Sequence, residues 1–169
     1  MLNLQSNGPP TMHYMKLPFE TSTAKHAIVF VGIPASGKTT FFKEYLLPLG
    51  YEHINLDTLR TRHREALLLE ECFESGKSFV VDNTNVSYDL RGRYVRMAHD
   101  AGYHVTCIFF QSRIKDCLAR NNARGGNVPD CAVANMSRNL QLPKADEGFD
   151  ELFFARITQG GYEITDYKL

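Results

Sequence analysis

Gly32-Ile33-Pro34-Ala35-Ser36-Gly37-Lys38-Thr39 lies between the apolar run Ala27-Ile28-Val29-Phe30-Val31 and the run Thr40-Phe41-Phe42-Lys43-Glu44-Tyr45-Leu46-Leu47. The spacing is G-x-x-x-x-G-K-[ST], and its flanks read as a buried strand entering and a helix leaving. Gly32 and Gly37 let the backbone curl until successive N–H groups converge on one anion, and the following helix adds its positive end to the same spot. Lys38 is placed to reach the β- and γ-phosphates of a triphosphate, and the Thr39 hydroxyl to complete the coordination of a magnesium ion. A nucleoside triphosphate, ATP or GTP, is the ligand this stretch implies, with contacts from Gly32 through Thr40.

The chain of 169 residues is long enough for one well-buried domain. Nineteen basic and nineteen acidic residues cancel, so no whole-protein field attracts nucleic acid or anionic membrane, and any polyanion must be held locally. Cys72, Cys107, Cys117 and Cys131 are far apart and form no C-x-x-C pair, which reads as reduced thiols in a cytoplasmic protein. No apolar run approaches membrane-spanning length, and the opening residues lack the pattern of a secretory leader. Residues 1–25 read as a loosely ordered arm with Leu17-Pro18-Phe19 able to pack on the domain, and residues 26–169 as the domain itself.

Beyond the glycine loop, short strands are expected over 51–56, 78–82, 103–110 and 152–157, and the tail past Gly160-Gly161 can add an edge strand. Helices are expected over 58–76, from Ser87 to about 101, over 114–123, and from Asp130 to about 140. Strands alternating with helices predict a three-layer α/β fold: a central, mostly parallel sheet of about five strands, with ligands at the carboxyl ends of the strands and a helical lid. Those ends carry the glycine loop, Asp57, Asp82 and Gln111-Ser112-Arg113.

Asp57 has two readings, a base that accepts the proton of an attacking hydroxyl or a cap for the helix that follows. Arg60, one turn further on, could hold a phosphate of the acceptor. Asp82 ends an apolar strand, where an acid either orients magnesium or makes a local turn contact. Arg120 and Arg124 share a helix face and run into Gly125-Gly126, as the paired guanidinium groups of a lid would, or as a solvated face would. Arg113 and Arg138 read as surface. Arg91, Arg93 and Arg96 form a basic helix face that water or a polyanion could cover.

Taken in order, Gly32 to Thr39, Asn55-Leu56-Asp57-Thr58-Leu59-Arg60, Val81-Asp82-Asn83-Thr84-Asn85 and Arg120-Asn121-Asn122-Ala123-Arg124-Gly125 resemble the kinase domain of 5′-hydroxyl polynucleotide kinases. Glu147-Gly148-Phe149 resembles the segment before the last strand of the eukaryotic DNA-repair members. The resemblance spans roughly 26–158. It implies Lys38 and Thr39 on ATP and magnesium, Asp57 as general base, Arg60 on the acceptor's 3′-phosphate, Asp82 supporting the centre, and Arg124 as lid arginine. It also implies nucleic-acid 5′ ends as the partner, and no membrane. The chain departs from the family in carrying neither a phosphatase nor a ligase module and in being neutral overall. Two other readings stay open: a small-molecule kinase of zeta-toxin-like type, and a nucleotide-gated binding module with ATPase activity.

Overall fold

Strand β1 (His26–Val31) carries five apolar residues after His26, and all six are buried, as a central strand covered on both faces requires. The computed structural model describes residues 15–21 and 24–168. On one side β1 pairs in parallel with β3 (Phe79–Val81), which pairs with β2 (Glu52–Ile54). On the other it pairs in parallel with β4 (His104–Phe110), and β4 with β5 (Glu151–Thr158). An antiparallel strand β6 (Gly161–Asp166) closes that edge, so the sheet has six strands in the order β2-β3-β1-β4-β5-β6. The mostly parallel α/β sheet is thus as expected, and the tail supplies the sixth strand.

Alternation along β1 divides the core. Ile28 and Phe30 point to the face covered by Phe41, Phe42 and Leu46, and Ala27 and Val29 to the face covered by Leu69, Val95 and Tyr103. Each large apolar side chain removed from water this way contributes about 1.5–3 kcal/mol, which makes the two cores the principal source of stability. Phe19 is buried between His26 and Phe153, with Met15 and Leu17 against the same core. The remainder of the expected arm, residues 1–14 and 22–23, lies outside the described residues.

The helices are α1 (Lys38–Phe41), prolonged by a π-helical turn over Phe42–Leu46, α2 (Leu56–Leu59), α3 (Arg62–Ser75), α4 (Tyr88–Asp100), α5 (Ile114–Ala123) and α6 (Asp130–Asn139). Ser87 caps α4 by accepting from the Leu90 N–H, as expected. The single helix expected over 58–76 is instead two. Asn55 caps α2 by accepting from the Thr58 N–H at 3.1 Å, and Thr61 opens α3 by accepting from the Arg64 N–H at 3.2 Å. Between them Arg60 is held at φ 73°, a left-handed conformation that a non-glycine residue adopts at a cost of order 1–3 kcal/mol.

The basic face expected on α4 also needs correction. Arg91 is fully buried and makes a bidentate pair with Glu147, Nε to Oε2 at 2.7 Å and Nη2 to Oε1 at 2.8 Å, while Nη1 donates to the Asn85 carbonyl at 2.8 Å. Arg93 faces Glu65 at 3.8 Å, and of the three only Arg96 is exposed. The pair therefore ties the turn after β3 to the segment before β5. Arg91→Ala leaves the Glu147 carboxylate buried without its partner and is expected to cost about 3–5 kcal/mol in chemical denaturation. A loss below 1 kcal/mol would show that the pair contributes little.

Candidate active site

The phosphate loop runs from the end of β1 into α1, and its glycines are sterically required. A Cβ on Gly32 would lie 2.7 Å from Ser36 Oγ; one on Gly37, at φ 101°, would lie 2.9 Å from Ile157 Cδ1. Ala35 also takes a left-handed turn at φ 64°. Three distant residues brace the loop: the Gly32 N–H donates to the Thr84 carbonyl, the Ile33 N–H to Ser112 Oγ, and Tyr162 OH to the Gly37 carbonyl at 2.8 Å. Burial pushes the Tyr162 hydroxyl up to about 12, with Glu44 adding to the shift, so it remains a donor.

Lys38 is buried and folds back on the loop, its ammonium 2.8 Å from the Gly32 carbonyl, 3.0 Å from that of Ile33 and 3.3 Å from Ser36 Oγ. Burial lowers its pKa to about 8, against the opposing charge of Asp82. Asp82, one residue past β3, is almost fully buried. Its Oδ2 accepts from Thr39 Oγ1 at 2.6 Å and from His53 Nε2 at 2.8 Å, and its main-chain carbonyl accepts from Asn55 Nδ2 at 2.7 Å. Burial acts to raise its pKa. The His53 hydrogen bond, the Lys38 charge and the Thr39 hydroxyl outweigh it and hold the carboxyl below the ordinary aspartate range. Asp82 Oδ1 is buried without a hydrogen-bond partner among the described residues. A buried, ionised, half-satisfied carboxylate beside a threonine hydroxyl fits a magnesium ion, whose ligands are hard oxygens completed by water.

A cleft of about 330 Å³ brings Lys38, Thr39, Asp82, Asp57, Arg62 and Arg124 to one place. Asp57 sits in the first turn of α2, exposed and without a side-chain partner among the described residues, because Asn55 does the capping. Arg60 is exposed in the turn that borders this cleft and is not among its lining residues, whereas Arg62 is. Arg62 Nη1 is engaged by Glu65 and by Tyr94 OH at 2.9 Å, and Tyr94 OH donates to Glu65 at 2.9 Å. Among the described residues Arg60 makes no ion pair.

On the other side of the loop α1, α5 and the β5–β6 hairpin border a second cleft of about 400 Å³, lined by Gly37, Thr40, Arg120, Arg124, Ile157 and Tyr162. Arg120 Nε donates to the Ala35 carbonyl at 2.7 Å, and Arg124 follows α5 as its C-cap ahead of Gly125 and Gly126, both at positive φ. Arg124 thus borders both clefts.

A family model described as an AAA domain, AAA_33, matches residues 28–67 and 64–143. The chain belongs to the AAA_33 family of P-loop kinase domains. It is 37% identical over 136 residues to a putative bifunctional polynucleotide phosphatase/kinase of Acanthamoeba polyphaga mimivirus, covering 76% of this chain and 32% of that protein. It is 30% identical over 138 residues to the bifunctional polynucleotide phosphatase/kinase of Schizosaccharomyces pombe, covering 78% and 33%. The chain thus spans about a third of the length of these curated relatives. A gluconokinase from Sinorhizobium meliloti shares the fold, with a TM-score of 0.59 at 15% identity, covering 82% of this chain and 86% of the other. No helix among the described residues is long and apolar enough to cross a membrane.

His53, Asn55, Glu65 and Tyr162 escaped the sequence reading. Each acts through a partner far along the chain, and only Asn55, an Asx residue just after a strand, carried a local signal for its role as a cap.

Proposed function

We propose that the domain transfers the γ-phosphoryl group of ATP to the 5′-hydroxyl of a polynucleotide. The carrying observation is the cleft that sets the exposed Asp57 carboxylate across from Lys38, Thr39 and Asp82, and the relatives named polynucleotide phosphatase/kinase support the choice of acceptor. In this reading Lys38 leaves the loop carbonyls for the β- and γ-phosphates, and the loop amides from Ala35 to Thr40 bind the triphosphate. The second cleft takes the nucleoside, with Arg120 steadying the loop. Thr39 and Asp82 hold magnesium, which neutralises charge on the phosphate oxygens. Asp57 accepts the hydroxyl proton as the oxygen attacks phosphorus and ADP departs, while Arg124 meets the charge spreading over the transferred group. The test is transfer of labelled γ-phosphate from ATP to a panel of 5′-hydroxyl DNA and RNA oligonucleotides, sugars and nucleosides. Labelling of the small compounds alone would transfer the assignment to a small-molecule kinase, and ATP hydrolysis with no labelled acceptor would transfer it to an ATPase module.

Arg60 is assigned to the 3′-phosphate of the acceptor's terminal nucleoside. Arg62 is nearer the cleft, but its charge is already met by buried Glu65, whereas Arg60 is uncommitted among the described residues. A charge-assisted contact contributes about 1.5–3 kcal/mol, so a 3′-phosphorylated nucleoside should be preferred over the bare nucleoside by roughly ten- to a hundredfold. Arg60→Ala is expected to erase most of that preference and Arg60→Lys to restore part of it. Retention of the preference in Arg60→Ala with its loss in Arg62→Ala would move the role to Arg62.

A further inference from the structure

At the opposite edge of the sheet, β1, β4 and β5 begin with His26, His104 and Glu151. The register pairs His26 with His104 and Thr106 with Glu151, so the pleat turns all four side chains to one face. Nε2 of His104 lies 3.0 Å from Glu151 Oε2, and one nitrogen of each histidine and one oxygen of the glutamate all fall within 4.8 Å of one another. The six residues of β1 put this cluster roughly 20 Å from the phosphate loop.

We propose that His26, His104 and Glu151 form a binding site for a divalent transition metal of the zinc class, separate from the catalytic magnesium. Two imidazoles and a carboxylate are the ligand set that suits zinc, with water in the fourth position of a tetrahedron. The surroundings supply the outer contacts such sites use. Tyr51 OH lies 2.7 Å from His26 Nδ1, and Thr106 Oγ1 donates to Glu151 Oε2 at 3.0 Å. The Tyr51 oxygen at the far nitrogen of His26 can accept the ring proton when Nε2 turns to a metal.

In the metal-free arrangement Tyr51 OH donates to His26 Nδ1, and His26 Nε2 donates to Thr106 Oγ1 at 2.8 Å. On binding, the His26 proton moves to Nδ1, where the Tyr51 oxygen accepts it, and Nε2 is left to the metal. Thr106 keeps its bond to Glu151. Phe19 and Tyr51 cover the His26 side, while the His104 side chain is 52% exposed and leaves an entry path and room for the water ligand.

The whole chain, treated with chelator and kept in excess magnesium to occupy the Thr39/Asp82 site, is titrated with zinc sulfate by calorimetry and by thermal denaturation. One equivalent of zinc should bind and raise the melting temperature, as a ligand of the native state alone does. Cobalt(II) in its place should show the intense visible absorption of a tetrahedral site. His104→Ala and Glu151→Gln should each weaken zinc binding by at least about tenfold. His63→Ala, on exposed α3, should leave affinity unchanged. Absence of saturable zinc binding, or an affinity that His104→Ala and Glu151→Gln leave intact, overturns the proposal. Because His104 is half exposed, its replacement should not impair folding, and the result reads on binding alone.

Discussion

Asp57→Asn is expected to slow phosphoryl transfer by roughly 10²–10⁴-fold while leaving thermal stability unchanged. The size is that of a lost general base. The separation of rate from stability follows from local geometry. The cap of α2 is Asn55, through the Thr58 N–H, and Asp57 has no side-chain partner among the described residues whose loss could destabilise the fold. Asparagine is nearly the same shape and cannot take a proton at neutral pH. Single-turnover kinetics beside a melting curve decides the matter: a lowered melting temperature with an intact rate would make Asp57 structural.

Lys38→Met should cost at least 10²–10³-fold in turnover, because it withdraws a buried cation from the phosphates in a site where few waters can replace it. Here stability should respond too, and the sign can be worked out. Lys38 has a folded pKa of about 8 against an ordinary 10.5, so between those values the unfolded chain binds more protons than the folded one. Wild-type stability therefore rises as pH increases from about 8 to 10.5, whereas the methionine variant lacks this increment. The gap corresponds to on the order of 3 kcal/mol at full amplitude. Below pH 8 the buried ammonium is a net cost to wild type, offset by its bonds to the Gly32 and Ile33 carbonyls. Parallel pH profiles of the two proteins that track each other through this window would show that Lys38 is not held as the structure has it.

What could be read from the sequence was what neighbours in sequence determine. The glycine loop, its strand and its helix are contiguous, and the parallel sheet follows from buried runs separated by helical spans. Ser87 capped its helix because cap and capped N–H are three residues apart. The misreadings share a cause. Arg91 read as a surface charge because its partner, Glu147, lies 56 residues away. The 58–76 stretch read as one helix because its apolar residues continue on both sides of Arg60, while the cap that opens the second helix, Thr61, gives a weaker signal than the stripe. Of the candidate site, Lys38, Thr39, Asp57 and Asp82 could be assembled from their places at strand ends. The bond from His53 to Asp82 spans 29 residues, and nothing in the local pattern marks it.

The hydrogen bond from Tyr162 to the Gly37 carbonyl joins residues 125 apart in the chain. It bears on the order in which the protein is made. At roughly 5–20 residues per second, ribosomal synthesis needs about 6–25 s to travel from Gly37 to Tyr162. Throughout that interval the nucleotide loop exists without the hairpin that braces it, and β1 lacks β4 until residue 110 has been added. A nascent chain should therefore hold ATP poorly until Tyr162 has folded back onto the loop. Ribosome-bound intermediates with Tyr162 still inside the exit tunnel and with Tyr162 emerged should differ sharply in nucleotide capture.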